Sequence, residues 1–111
     1  MASSPPLDNR AADLQVWREQ FADTTSIQRL RPRERATCVG VVLKIRLDPG
    51  RLLAVTVEDG TGRLTALFTG RSNLAGLELG GGMRLTGTVA ATDGELQMRN
   101  PAWAPVVEPY A

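Results

Sequence analysis

The stretch that decides the fold is Val57-Glu-Asp-Gly-Thr-Gly-Arg-Leu-Thr-Ala-Leu-Phe68. Its centre, Gly60-Thr-Gly62, is a tight turn, because glycine reaches the positive φ angles that close a hairpin without steric penalty. After the turn, Leu64, Ala66 and Phe68 alternate with Arg63, Thr65 and Thr69, the period-2 pattern of a strand with one buried face. Before the turn, Leu53, Val55 and Val57 alternate in the same way. The stretch therefore reads as a β-hairpin with strands at Arg51–Asp59 and Arg63–Thr69.

Working outward in the N-terminal direction, Asp48-Pro-Gly50 is a second turn, since proline fixes φ and glycine accepts φ > 0. Before it, Thr37–Leu47 carries apolar residues at the odd positions Val39, Val41, Leu43, Ile45 and Leu47, with Lys44 and Arg46 between them. This predicts a long first strand, 35–48, that buries its odd positions. Gly40 inside it marks a bend or a close backbone approach. In the C-terminal direction, Gly70 to Gly82 breaks the strand pattern. Leu74, Leu77 and Leu79 suit one short helical turn ended by Gly80, Gly81 and Gly82. Two more strands follow, Met83–Ala91 and Glu95–Asn100, joined by Thr92-Asp-Gly94 and stopped by Asn100-Pro101. Three antiparallel strands, a linker and a returning hairpin fit a partly open Greek-key barrel with order one-two-three-five-four-one. A five-stranded SH3-like barrel is the competing topology, though it more usually lacks the inserted element.

Upstream of the barrel the period changes from 2 to 3.6. Leu7, Ala11, Leu14, Trp17 and Phe21 share one face of a helix expected over residues 8–23, with Asp8 as its N-cap. That helix is expected to pack through Leu14, Trp17 and Phe21 and to close one open end of the barrel. Ser3, Ser4, Pro5 and Pro6 read as a disordered leader. The expected organisation is a flexible leader, helix and arginine-rich connection at 1–34, a barrel at 35–103 and a C-terminal tail at 104–111. The tail, with Trp103 before it, lies extended on the barrel or free.

Length and composition narrow the class. A chain of 111 residues with 42% hydrophobic and 23% charged residues suits a single globular domain. No apolar run nears the ~20 residues of a membrane span, and MASSPP has no signal-peptide pattern, so a cytoplasmic protein is expected. One cysteine, Cys38, makes no internal disulfide, and with no histidine a zinc site is not expected. Net charge is only +1, but it is unevenly spread. Between residues 25 and 57 the basic residues Arg29, Arg31, Arg33, Arg35, Lys44, Arg46 and Arg51 face only Glu34 and Asp48. The flanking segments are each net acidic. A local basic stretch of this kind suits a polyanionic partner.

With the strands placed, a family resemblance emerges. Val57–Phe68 resembles the "v-x-D-G-T-G-x-i-x-x-x-F" hairpin of nucleic-acid-binding OB domains, among them the tRNA-anticodon-binding type and the wedge of RecG branched-DNA helicases. Gly70-Arg-Ser-Asn-Leu74 resembles their linker, and Leu79-Gly80 to Gly87-Thr-Val89 their fourth strand. Met98-Arg-Asn-Pro101 resembles the end of their fifth. The resemblance covers about Arg35 to Trp103. It implies a mainly β, five-stranded Greek-key OB-fold barrel, here with an N-terminal α-helix, that binds single-stranded or branched DNA with weak sequence selectivity. Lys44, Arg46, Arg51 and Arg63 flank the first hairpins, near where OB ligands lie. With Thr65, Arg71 in the linker and Arg99 on the fifth strand they form the expected nucleic-acid-binding set. One departure matters: the exposed face of the second and third strands carries no aromatic ring on which bases could stack.

Each feature has a plainer reading. Arg29 to Arg35 could be a solvated linker pairing with the acidic helix. Trp17, Phe21 and Trp103 read first as packing residues, and Cys38 as a small buried residue. Glu58 and Asp59 are adjacent, so a strand sends them to opposite faces, and Asp59 reads as a turn cap. No phosphate loop, metal cluster or nucleophile–base pair is visible, so neither catalysis nor a cofactor is expected. The alternative to nucleic-acid binding is a protein-interaction module using the barrel face or the helix.

Overall fold

The computed structural model describes residues 7–109; the leader at Ser3–Pro6 and the end of the tail at Tyr110 and Ala111 lie outside them. A helix, α1 (Leu7–Glu19), precedes a one-turn 3-10 helix at Ile27–Arg29. Six strands follow: β1 (Arg35–Asp48), β2 (Leu52–Glu58), β3 (Arg63–Thr69), β4 (Gly82–Thr92), β5 (Glu95–Arg99) and β6 (Ala102–Val106). β1 pairs with β2, β2 with β3 and β4 with β5, all antiparallel. β3 pairs parallel with β5, and β1 closes the barrel on β4. This is the expected order one-two-three-five-four-one of the OB barrel. To it the structure adds β6, antiparallel to β4.

The phase of β1 differs from the alternation read along it. Val42 opposes Val57 and Lys44 opposes Thr56, so Leu43 is the extra residue of a β-bulge. Before the bulge the barrel interior receives Cys38 and Val42, while Val39 and Val41 are buried on the outer side beneath α1. After it, Ile45 and Leu47 share the face of Val55 and Leu53, but β1 has parted from β4, whose pairing ends at Val41 and Gly82. Leu43, Ile45 and Leu47, expected to be buried, are therefore exposed. Of the other positions expected inside, Val55, Leu64, Phe68 and Leu85 are buried, and Leu96 is half-buried.

Helix α1 does not close a barrel end. Leu14 and Trp17, with half-buried Phe21, make a second small core on Val39 and Val41. The rings of Trp17 and Phe21 meet edge to face with centroids 5.3 Å apart. Trp17 lies over Gly82, where a Cβ would come within 3.1 Å of its ring, and donates its indole N–H to the Val107 carbonyl at 2.9 Å. The barrel end beside the β2–β3 turn is filled instead by Ile27 and Leu30, which join the main core. Between β3 and β4 there is no helix: two turns, closed by Leu77 N–H to the Leu74 carbonyl and by Gly81 N–H to the Glu78 carbonyl, bury Leu74 and leave Leu79 exposed. Helix α1 ends four residues before Asp23, and Asp8 falls inside its first turn.

Candidate nucleic-acid interface

Strand pairing arranges the outer face of the barrel in rows, because directly opposed residues project to the same side. One row runs Lys44, Thr56, Thr65, Gln97; the next runs Arg46, Ala54, Leu67, Arg99. Adjacent rows are two residues apart along each strand, about 7 Å. A third row opposes Glu58 and Arg63. The hydroxyls of Thr56 and Thr65 are hydrogen-bonded across the hairpin at 3.0 Å.

An open groove of about 670 Å³ crosses this face. Its floor is Leu43, Lys44, Thr56, Thr65 and Arg63, its far wall is Gly94 to Leu96 at the β4–β5 turn, and its near wall is Ile27 and Gln28. A shallower depression continues it over Arg46, Ala54, Leu67 and Gln97. Of the residues expected to bind, the structure brings Lys44, Arg46, Arg63 and Thr65 together along this surface, with Arg99 at its edge. Arg51 and Arg71 are exposed beyond it, at the β1–β2 turn and the start of the linker, where Gly70 N–H bonds the Arg51 carbonyl.

Asp59 builds the near wall. It is fully buried, and its Oδ1 accepts from Thr61 N–H at 2.9 Å, the Thr61 hydroxyl at 2.6 Å and Gly62 N–H at 3.2 Å. Its Oδ2 accepts from Ile27 N–H at 2.8 Å and lies 3.9 Å from Arg18 Nε. One carboxylate thus caps the turn, as expected, and also ties both the 3-10 helix and α1 to it. Gln28 N–H adds a bond to the Thr61 hydroxyl at 3.1 Å.

Ion pairs separate the surface electrically. On the helix side Arg10 bonds Glu58, Arg18 approaches Asp59, and Arg84 bonds Asp23. The Arg84 guanidinium holds the Asp23 carboxyl below the usual carboxylate range. On the groove side Arg46 pairs with Asp48 at 3.0 Å and Arg63 lies 3.7 Å from Glu58, yet both arginines stay exposed. Among the described residues, Lys44, Arg51, Arg71 and Arg99 make no ion pair. The carboxylate in the groove is Glu95.

The groove has no aromatic ring; Leu43, Leu67 and Leu96 provide its apolar surface. Trp103 packs half-buried against the barrel core opposite Leu85. Gln28 and Leu43 were missed from the sequence, and only the bulge and the 3-10 turn bring them here. Among the described residues no three His, Cys, Asp or Glu side chains gather as a metal site, and no helix is long and apolar enough to cross a membrane.

The closed order of β1 to β5, with a bulged first strand and a groove across β1, β2, β3 and β5, defines an OB-type barrel. Solved structures share this architecture. A chain of a replication protein A heterotrimer bound to single-stranded DNA matches with a TM-score of 0.55 and 23% identity, over 67% of this chain and 58% of that one. A chain of the Stn1–Ten1 complex of S. pombe matches at 0.56 and 17% identity, over 68% and 60%. The Ifi202 HINa domain in complex with 20 bp double-stranded DNA matches at 0.63 and 13% identity, over 96% and 54%. The protein thus spans a little over half the length of each of these chains, and at these identities the likeness establishes the fold. No family model matches the sequence, and no curated protein does.

Proposed function

We propose that this protein is a binding module for single-stranded or branched DNA, held through phosphate contacts across the outer face of β1, β2, β3 and β5. The observation that carries this reading is the segregation of charge. Arginines on the helix side are each matched by a carboxylate; on the groove side Arg46 and Arg63 are paired too, with Asp48 and Glu58, but keep their side chains mostly exposed, and Lys44 and Arg99 make no ion pair among the described residues. Cations left accessible along a groove attract a polyanion and release its counterions on binding. Thr65 adds a hydroxyl donor between them, and Arg51 and Arg71 extend the charge past one end of the face. The choice of single-stranded or branched DNA rests on the resemblance of Val57–Phe68 to the tRNA-anticodon-binding and RecG-wedge hairpins. Solved neighbours of the same fold described as bound to single-stranded or double-stranded DNA support DNA as the polyanion.

With leucines in place of stacking rings, affinity is mainly electrostatic, so binding is tolerant of sequence and steeply salt-dependent. Fluorescence anisotropy with labelled oligonucleotides at several salt concentrations tests this. Lys44→Ala or Arg63→Ala should weaken all sequences alike and make the log–log salt slope shallower by about 0.7 for one lost single-strand phosphate contact. Absence of binding at low salt by the folded protein would sink the reading and leave protein interaction in its place.

A further inference from the structure

We propose that the arginine-dense connection from Arg29 to Arg35 is a second phosphate-binding segment, continuous with the groove, which lengthens the track of single-stranded DNA beyond the barrel face. The inference rests on the DNA-binding reading above and adds to it a place where the strand leaves the groove.

Three observations carry it. Arg29, Arg31, Arg33 and Arg35 are all exposed, and none makes an ion pair among the described residues. Among the described residues the acidic helix does not neutralise this linker: Asp13 and Glu19 pair with none of these arginines, and Asp23 just beyond the helix is taken by Arg84.

The segment is also not a loose tether. Ile27 and Leu30 anchor its start in the barrel core. Its far end is tied to β4 in both directions, Arg33 N–H to the Val89 carbonyl at 2.7 Å and Val89 N–H to the Glu34 carbonyl at 2.9 Å. Cations held on a fixed backbone lose less freedom when they bind than cations on a flexible arm. Gln28, immediately before Arg29, lines the groove beside Arg63 and Thr65, so the arginines begin where the groove wall ends.

The backbone gives the third observation. Among the described residues four non-glycines have positive φ: Asp93 and Asn100, which tolerate it, and Arg33 at 75° and Arg51 at 65°. Glycine or asparagine would suit both arginine positions better by conformation alone. A long cationic side chain kept at an unfavourable φ points to a role for the side chain itself. The two positions lie at opposite limits of the track, Arg51 beyond the β1–β2 end of the face and Arg33 beyond the 3-10 turn.

The test compares the parent with a triple variant, Arg29→Gln, Arg31→Gln and Arg33→Asn. Asparagine keeps the left-handed backbone at 33 without the charge, and melting temperature checks that the fold is intact. Both proteins are titrated with oligo-dT of about 5 and about 15 nucleotides, within the range of OB site sizes. A variant confined to the face, Lys44→Gln with Arg63→Gln, is run beside them. The expected result is that the triple variant binds the short oligonucleotide as the parent does but loses the parent's gain on lengthening. Its salt slope on the long one should be shallower by about 2, for three lost contacts. Between about 50 and about 200 mM salt the parent's advantage should then shrink roughly twentyfold. Parent-like binding of both lengths by the folded triple variant overturns the inference while leaving the groove reading intact. An equal loss on both lengths also overturns it, because the arginines would then belong to one short site. Parent protein that binds neither length, or a face variant that binds as the parent does, refutes the groove reading itself. Retention of an acidic polyglutamate peptide in place of either oligonucleotide would assign the arginines to a protein partner and refute the proposal.

Discussion

Replacing Asp59 by asparagine removes one charge from the point where three elements meet and changes almost nothing else in shape. The amide oxygen can still accept from Thr61 and Gly62, so the turn keeps its cap. The amide nitrogen then faces Ile27 N–H, donor against donor, in place of the 2.8 Å bond now made there. A buried backbone donor left without a partner costs about 1–3 kcal/mol. Arg18, mostly buried with its Nε unsatisfied, loses the one carboxylate within 4 Å of it among the described residues, and breaking one side of a buried ion pair costs about 3–5 kcal/mol in total. The two figures are not simply additive, because both follow from the loss of one atom, Asp59 Oδ2, which faces Ile27 N–H and Arg18 Nε together, so the expected loss is about 3–5 kcal/mol. Against a stability of about 5–15 kcal/mol for a domain of this kind that is a large share. It corresponds to a fall in Tm of about 10–20 °C. Circular dichroism melts of the Asp59→Asn, Arg18→Met and double variants provide the measurement. The double variant should recover part of the loss, because removing both charges leaves neither stranded. Since the same carboxylate fixes the groove wall through Ile27, the DNA binding proposed above should weaken at temperatures where the variant is still folded. A Tm drop under about 4 °C, with no coupling between the two positions, would refute the assignment of Asp59 as the joint.

Three further outcomes are expected. Leu47 and Leu53 oppose each other in the β1–β2 ladder, yet Leu47 is 54% exposed and Leu53 1%; Leu53→Ala should cost about 2–5 kcal/mol in urea unfolding and Leu47→Ala about 0.5 kcal/mol or less. At Gly60 a Cβ would lie 2.2 Å from the Ala11 carbonyl at a φ of +86°, so Gly60→Ala should lift α1 off the hairpin. Acrylamide quenching of Trp17, measured in a Trp103→Phe background, should rise while the β-sheet signal persists. Burial, with Asp59 nearby, pushes the Cys38 thiol up to about 12, so its labelling at pH 8 should proceed only as fast as the protein unfolds; rapid labelling of native protein would contradict the burial.

Strand positions were legible because glycine and proline mark the turns and β-branched residues fill the runs between. The expected limits of β1 and β3 coincide with the observed ones, and β2, β4 and β5 lie within a residue of theirs. The phase of β1 was not legible. It is buried on both sides from Cys38 to Val42, under α1 on one face and inside the barrel on the other, so both sets of positions are apolar or small and periodicity cannot choose between them. β6 was obscured by Pro105, which an edge strand accepts because one side of its backbone bonds nothing. The 3-10 turn leaves only Ile27 and Leu30 as a trace, two apolar residues in a polar stretch. Along the groove, Lys44, Arg46, Arg63 and Thr65 could be read from alternation out from the hairpin, but Gln28 reaches it through a tertiary bond to Thr61.

The bulge at Leu43 is where fold and candidate site become one problem. Up to Val42 the even positions of β1 face the barrel interior, and an unbroken strand would continue that phase and turn Lys44 and Arg46 to the inner face opposite Val55 and Leu53, since a one-residue slip inverts every side chain. Ile45 and Leu47, which hold that phase now, stay exposed because β1 has left β4, so the cost is one of position: both cations would leave the rows they share with Thr65 and Arg99. The extra residue reverses the phase, sending both cations to the outer face opposite Thr56 and Ala54. It also leaves Val39 and Val41 facing outward upstream, the apolar surface that α1 covers. Helix docking and the cationic face are thus two consequences of a single inserted residue. This explains how a strand with an apparently regular alternation can serve an inner core, an outer core and a charged groove in turn.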